Sequence, residues 1–182
     1  TQAVNHSIGV MTAKDDAAQM SQGAGMTFRN NIEWLAGNYN EARMGSSIFS
    51  YLMGYEDPRL SVYFLPMDGN ASYGVEAFDG KTYQAVPAGH ANAQNDIYKS
   101  CSKPNIQSGT PTYWLRASEV YFLRAEAALV WEGFGSADSW YKQGIDMSFQ
   151  ENGVTDPVDD YMNSNLSPRA YAVSYTHLRA HE

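Results

Sequence analysis

Apolar residues are densest between Leu115 and Leu129, where the chain reads LRASEVYFLRAEAAL. Wound as a helix, that stretch is apolar on nearly every face. Such a helix is expected to be buried between neighbours, because a helix lying on a surface shows one polar side. The run GFGS at Gly133–Ser136 interrupts it, and ADSWYKQGIDMSF follows over Ala137–Phe149. There Ala137, Trp140, Tyr141, Gly144, Ile145 and Ser148 recur at i, i+3, i+4, i+7, i+8 and i+11, one side of a second helix. Ser136 is placed to cap its start, Asp138 to favour its dipole, and Gly153 to end it. A glycine inside a helix costs about 1 kcal/mol relative to alanine, so Gly144 predicts a close helix approach. The pattern predicts antiparallel helices over residues 116–131 and 137–152. Ala117, Val120, Tyr121, Ala125 and Ala128 should pack against Trp140, Tyr141, Gly144 and Ile145. Such a hairpin resembles one tetratricopeptide unit, and no second copy is evident.

Further toward the N-terminus the periodicity is weaker. Met44, Ile48, Tyr51, Leu52 and Tyr55 form an apolar stripe that predicts a helix over Tyr39–Tyr55. Gly54 falls where a cap belongs, and Asp57-Pro58 stops continuation. Leu60–Leu65 reads as a short strand or extended segment, and Thr12–Met20 as a short helix. Residues 66–113 carry turn signals such as Asp68-Gly-Asn70 and Asp79-Gly80, and no regular period. Irregular stretches this long are functional or disordered. Tyr73, Phe78, Tyr83, Tyr98 and Tyr113 within it argue against disorder. No boundary marks off a second domain. The expected fold class is therefore mainly α, with a tetratricopeptide-like hairpin and a long loop-rich region.

Composition removes several functions. The chain has 182 residues and a formal net charge of −8, so it lacks the basic face that displaces phosphate counterions. Nucleic acid is excluded as a partner, and an acidic surface is repelled by anionic lipid. Cys101 is the only cysteine, which rules out an intrachain disulfide and a cysteine-rich metal site. No apolar run reaches transmembrane length, and no signal peptide opens the chain. Starting at Thr1 without a Met, it reads as a piece of a longer protein. Ser174–Glu182 (SYTHLRAHE) is similar to a translated cloning adapter. It is set aside with His177 and His181, leaving residues 1–173 as one partial domain.

Three stretches, in order, carry a family resemblance that covers about residues 39–160. They are RMGSSIFSYLMGYEDPRL over Arg43–Leu60, SEVYFLRAEAAL over Ser118–Leu129, and WYKQGI over Trp140–Ile145 with Ser148. Together they resemble the C-terminal part of the SusD/RagB family. The resemblance implies a mainly helical, partial SusD-like domain whose tetratricopeptide-like units scaffold an irregular ligand face. It implies a non-catalytic glycan- or nutrient-binding lipoprotein on the extracellular face of the outer membrane. Such a protein acts as a lid on a SusC-like, TonB-dependent transporter. Membrane attachment would come through a lipid anchor that this chain lacks, since Cys101 is not in a lipobox context. The competing reading is a helical-repeat interaction domain without a small-molecule ligand.

Candidate chemistry follows from the same residues. Glu119 and Glu126 invite a glycosidase reading, yet seven helical residues separate them by roughly 10.5 Å along one rod. Paired glycosidase carboxyls stand about 5–5.5 or 6.5–9.5 Å apart and flank the substrate. Structural roles are expected instead, with loop amides or Arg116, Arg124 or Arg59 as partners, because buried carboxylates require them. Asp68–Ser72 begins like a calcium loop, but Tyr73 stands at the sixth position and Asp79 at the twelfth, so a plain turn is expected. His90 has Asp96 nearby and no third ligand at metal spacing. No metal or cofactor is expected. Ligand binding is assigned instead to loop aromatics, whose flat rings match sugar C–H faces: Tyr73, Tyr83 and Tyr98, with Trp34 behind them.

Overall fold

The computed structural model describes residues 4–23, 25, 27–68, 80–89 and 98–167. Tyr73, Asp79, His90, Asp96 and the adapter-like tail lie outside the described residues. Its elements in chain order are β1 (Ala17–Met20), α1 (Asn31–Gly37), α2 (Ser46–Gly54), α3 (Leu60–Tyr63), β2 (Thr112–Arg116), α4 (Ala117–Val130), α5 (Ala137–Glu151) and α6 (Val158–Asn163). Helix dominates, as expected. The described residues form two compact units. One gathers Thr112–Asn165 and the described part of Thr1–Met20, the other Ser21–Pro111 with Leu166 and Ser167.

In the first unit, α4 and α5 form the expected hairpin to within a residue at each end. The Ser136 hydroxyl caps α5 by accepting from the Ser139 amide at 3.3 Å, and Gly153 leaves the helix at φ +67°. Gly144, Ile145 and Ser148 are buried on the predicted face. The partner of Gly144 differs from expectation. A β-carbon there would lie 2.7 Å from the ring of Phe122, so an aromatic from α4 fills the space, not a small residue. Tyr121 meets Trp140, Phe122 meets Tyr141, and the Arg124 guanidinium lies 4.6 Å from the Trp140 ring centre.

Burial of α4 was expected on most faces and is not found. Ala117, Ser118 and Ala125 are buried, whereas Leu123 is 57% and Leu129 60% exposed. Its main neighbour, α5, covers one side of the helix. The two helices are fastened at their far ends by a polar knot. The Glu151 carboxylate accepts from the Ser118 amide at 3.0 Å and the Ser118 hydroxyl at 2.6 Å, and it pairs with Arg116 Nε at 3.3 Å.

The helix expected over Thr12–Met20 is instead a turn followed by β1, antiparallel to β2. Asp16 accepts from the Thr12 and Ala13 amides, both at 2.9 Å, and so holds the turn in place of a first helical hydrogen bond. Those two amides hold its carboxyl below the usual carboxylate range. Long-range pairing with β2 then decides the conformation of the residues that follow.

In the second unit, the helix expected over Tyr39–Tyr55 shrinks to α2. Asn40 turns the chain at φ +56°, and Gly45 enters the helix extended. The residues between them bond elsewhere: the Met44 amide to the Ser102 carbonyl and the Val86 amide to the Met44 carbonyl, both at 2.8 Å. Met44 and Leu52 of the expected stripe are buried, while Ile48 and Tyr51 face solvent. Gly54 is the last helical residue, and Glu56 makes the turn at φ +50°. Leu60–Tyr63 is a helix where a strand or extended segment was expected. Buried Asp57 induces it by accepting from the Arg59 amide at 2.9 Å and pairing with that guanidinium, so the DPRL motif is a helix start. The chain is extended only from Phe64, which bridges to Pro104.

Candidate ligand-binding site

The loop-rich region gains its order from backbone hydrogen bonds between segments distant in sequence. Leu65 donates to Lys103, Met67 to Thr82, Asp68 to Ser100 and Ser102 to Gln84, at 2.8–2.9 Å. Buried Met67, Cys101 and Ser102 lie along these segments. Arg43 ties them further: its guanidinium donates to the Lys99 carbonyl at 2.7 Å and to Asn40 Oδ1 at 2.6 Å. Burial lowers the Arg43 pKa from its ordinary value and raises that of the Cys101 thiol, with their mutual interaction opposing both shifts.

Tyr83 and Tyr98 lie on segments that this network joins. Tyr83 sits between Thr82 and Gln84, and the Tyr98 carbonyl accepts from the Cys101 amide at 3.1 Å. Both tyrosines are half-buried, and burial pushes the Tyr83 phenol up. Asp68 pairs with Lys103 at 3.0 Å. Among the described residues, no group of three or more His, Cys, Asp or Glu side chains is disposed to hold a metal ion.

Trp34 belongs to α1. That helix is anchored at its start by Asn30, whose Oδ1 accepts from the Ile32 amide and whose Nδ2 donates to the Thr110 carbonyl, both at 3.0 Å. At the other end the Trp34 carbonyl accepts from both Asn38 and Tyr39 amides, at 3.0 and 3.1 Å. The chain is thereby wound back, and the Tyr39 ring comes to rest against Trp34 with centroids 4.3 Å apart, tilted by 46°. Trp34 is half-buried and Tyr39 is 57% exposed. Beside them Arg29 Nε donates to Glu33 Oε2 at 2.8 Å, and Arg29 Nη2 to Asn38 Oδ1 at 3.4 Å.

The contact of Tyr39 with Trp34 was not expected, because Tyr39 was assigned to the start of a helix. The available signal was Gly37-Asn38, a helix-ending pair between two aromatics five residues apart. The glutamates of α4 also take definite places. Glu119 Oε1 accepts from the Arg116 amide at 2.9 Å, closing the helix start, and Glu126 is exposed. Among the described residues, no helix is long and apolar enough to cross a membrane.

Comparison with known proteins gives the family. The family described as SusD-like, SusD and RagB outer membrane lipoprotein, matches over residues 1–182. No curated protein matches the chain. Among solved structures, a SusD homologue from Bacteroides vulgatus is 34% identical with a TM-score of 0.76, over 90% of this chain and 32% of its own. A SusD-like protein from Bacteroides thetaiotaomicron is 33% identical with a TM-score of 0.71, over 85% of this chain and 30% of its own. A chitin-binding SusD homologue from Flavobacterium johnsoniae is 28% identical with a TM-score of 0.77, over 90% and 32%. The chain thus spans about three tenths of the length of these relatives. With its full length matched by the family, and 90% of it matching a solved member at 34% identity, the chain belongs to the SusD-like family of outer-membrane lipoproteins.

Proposed function

We propose that the parent protein captures a glycan at the extracellular face of the outer membrane and hands it to a SusC-like, TonB-dependent transporter. Family membership across the whole chain is the observation that carries this reading, and the chitin-binding relative supports a glycan over a peptide. The role is capture without catalysis. Aromatic rings present flat apolar surface to sugar C–H faces with few rotors to immobilise, while neighbouring polar groups fix orientation. Trp34, Tyr83 and Tyr98 supply rings in a loop-rich frame, with Tyr73 as the fourth candidate. Glu119 is engaged in holding a helix end, which fits a binding protein better than a hydrolase.

The reading is tested by binding of the purified chain to insoluble chitin, starch and xylan, with bound and free protein quantified after sedimentation. Retention on at least one polymer, competed by its soluble oligosaccharide, is expected. Complete recovery in the supernatant with all three would contradict it.

A further inference from the structure

The end of α1 carries a small constellation with the chemistry of a sugar subsite, and its charge balance indicates which sugars it takes. Tyr39 is the exposed partner of a ring pair, backed by half-buried Trp34 at 4.3 Å. Since Trp34 covers one side of the phenol, the exposed surface lies away from it. A ring braced in this way loses little freedom when a ligand stacks on it, which favours binding.

Polar residues adjoin the pair in the chain: Glu33 precedes Trp34 and Asn38 precedes Tyr39. Arg29 uses Nε for Glu33 and one Nη2 hydrogen for Asn38, which leaves N–H donors on a fork of five. Glu33 accepts through Oε2, leaving Oε1 as an acceptor that no described residue donates to. Asn38 accepts through Oδ1, so its amide hydrogens remain as donors. Residues linked to one another beside the pair in the chain thus carry both donors and an acceptor, which match hydroxyls, each of which both donates and accepts.

The pairing also sets the charge. Arg29 is already neutralised by Glu33 at 2.8 Å with partial exposure of both side chains. A uronate or sulfate on the remaining Arg29 N–H groups would sit beside the Glu33 carboxylate, on a guanidinium whose charge that carboxylate already offsets. The chain as a whole, at −8, adds repulsion. An uncharged pyranose meets neither cost.

We infer that Tyr39, braced by Trp34 and flanked in the chain by the linked polar residues Arg29, Glu33 and Asn38, is a stacking subsite for an uncharged pyranose of the captured glycan. This rests on the glycan-binding reading above.

The experiment is native affinity electrophoresis of the full chain through gels containing starch, glycol chitin or polygalacturonate, with Tyr39→Ala, Tyr39→Phe and Asn38→Ala beside the parent. The parent should be retarded by a neutral polymer and not by polygalacturonate. Tyr39→Ala should weaken retardation roughly tenfold or more, and Tyr39→Phe should preserve it, because the ring and not the hydroxyl stacks. In a nitrogen-15 spectrum of the parent, the Trp34 indole N–H, identified by its loss in Trp34→Phe, should shift on adding maltohexaose or chitohexaose. That shift decides the matter if Tyr39→Ala fails to fold. Parent-like retardation of folded Tyr39→Ala, or an unmoved indole signal, would overturn the subsite while leaving glycan binding intact. Stronger retardation by polygalacturonate would overturn the charge argument. No retardation by any polymer would overturn both the subsite and the function it rests on.

Discussion

The ring of Phe122 on α4 stands where a side chain at residue 144 would begin, with its Cε1 2.7 Å from the position of a β-carbon on Gly144 of α5. Glycine is therefore required by space, and its unfavourable helix propensity is accepted for a close approach. Gly144→Ala should destabilise by up to about 2 kcal/mol, because overpacking of about 1–3 kcal/mol offsets or exceeds the roughly 1 kcal/mol gained in helix propensity. In a Phe122→Ala background the clash is gone, and the same change should stabilise by up to about 1 kcal/mol. Urea unfolding of the four proteins measures both signs. Stabilisation by Gly144→Ala in the parent would contradict the packing described.

Glu151 and Ser118 supply a second prediction. The Glu151 side chain is only 1% exposed and serves Arg116 and both donors of Ser118. Glu151→Ala would leave those groups buried without their acceptor, at a cost of roughly 3–5 kcal/mol. The exposed pair Lys142–Asp159 on the same unit makes the control. Asp159→Asn should change stability by less than about 1 kcal/mol. Equal effects of the two substitutions on the urea midpoint would contradict the difference in burial.

These two cases show where the sequence is legible. The hairpin was readable because capping, periodicity and the central glycine all agree locally, so α4 and α5 could be placed to within a residue. The residues around it were misread where a distant strand or loop decides. β1 takes its form from pairing with β2, and residues 41–45 take theirs from Ser102 and Val86. Neither partner is visible in a local window. The same reason hid Tyr39: its contact with Trp34 depends on where α1 stops. Asp57-Pro58 does follow the end of α2, as expected, but the Asp57 carboxylate also starts α3 where an extended segment was expected.

Cys101 predicts a pH dependence. Burial raises its thiol above the ordinary value of 9.0, and burial raises the Tyr83 phenol above 10.0. For both groups the folded chain holds its proton to higher pH than the unfolded chain. Their contribution is thus fully present below pH 9.0 and is lost as pH rises through the folded values. The urea midpoint should fall between pH 8.5 and 10.5, by less in Cys101→Ala, on the order of the alkaline range set by these groups. At pH 8 the thiol should react slowly with a disulfide reagent unless urea is added. A midpoint that rises with pH, or immediate labelling of the native chain, would contradict this.

The outer face of α4 predicts surface behaviour. Leu123, Leu129 and Val130 are exposed, with Trp131 at 61% just beyond them. Several large apolar side chains exposed on one segment bind hydrophobic dye and promote association. Replacing Leu123 and Val130 together with Lys should lower dye fluorescence and aggregation while shifting stability by no more than about 0.5 kcal/mol per site. A large loss of stability would mean that these side chains are buried.

Capture of glycan without cleavage, proposed for the parent protein, can be tested on this chain. The most direct measurement incubates the protein with starch, chitin and xylan and follows two quantities in the same tube: protein bound to polymer and reducing ends released. The account predicts saturable binding to at least one polymer, with released ends no higher than in the protein-free control. Released ends that rise with time and vanish in Glu126→Gln, with folding intact, would contradict it.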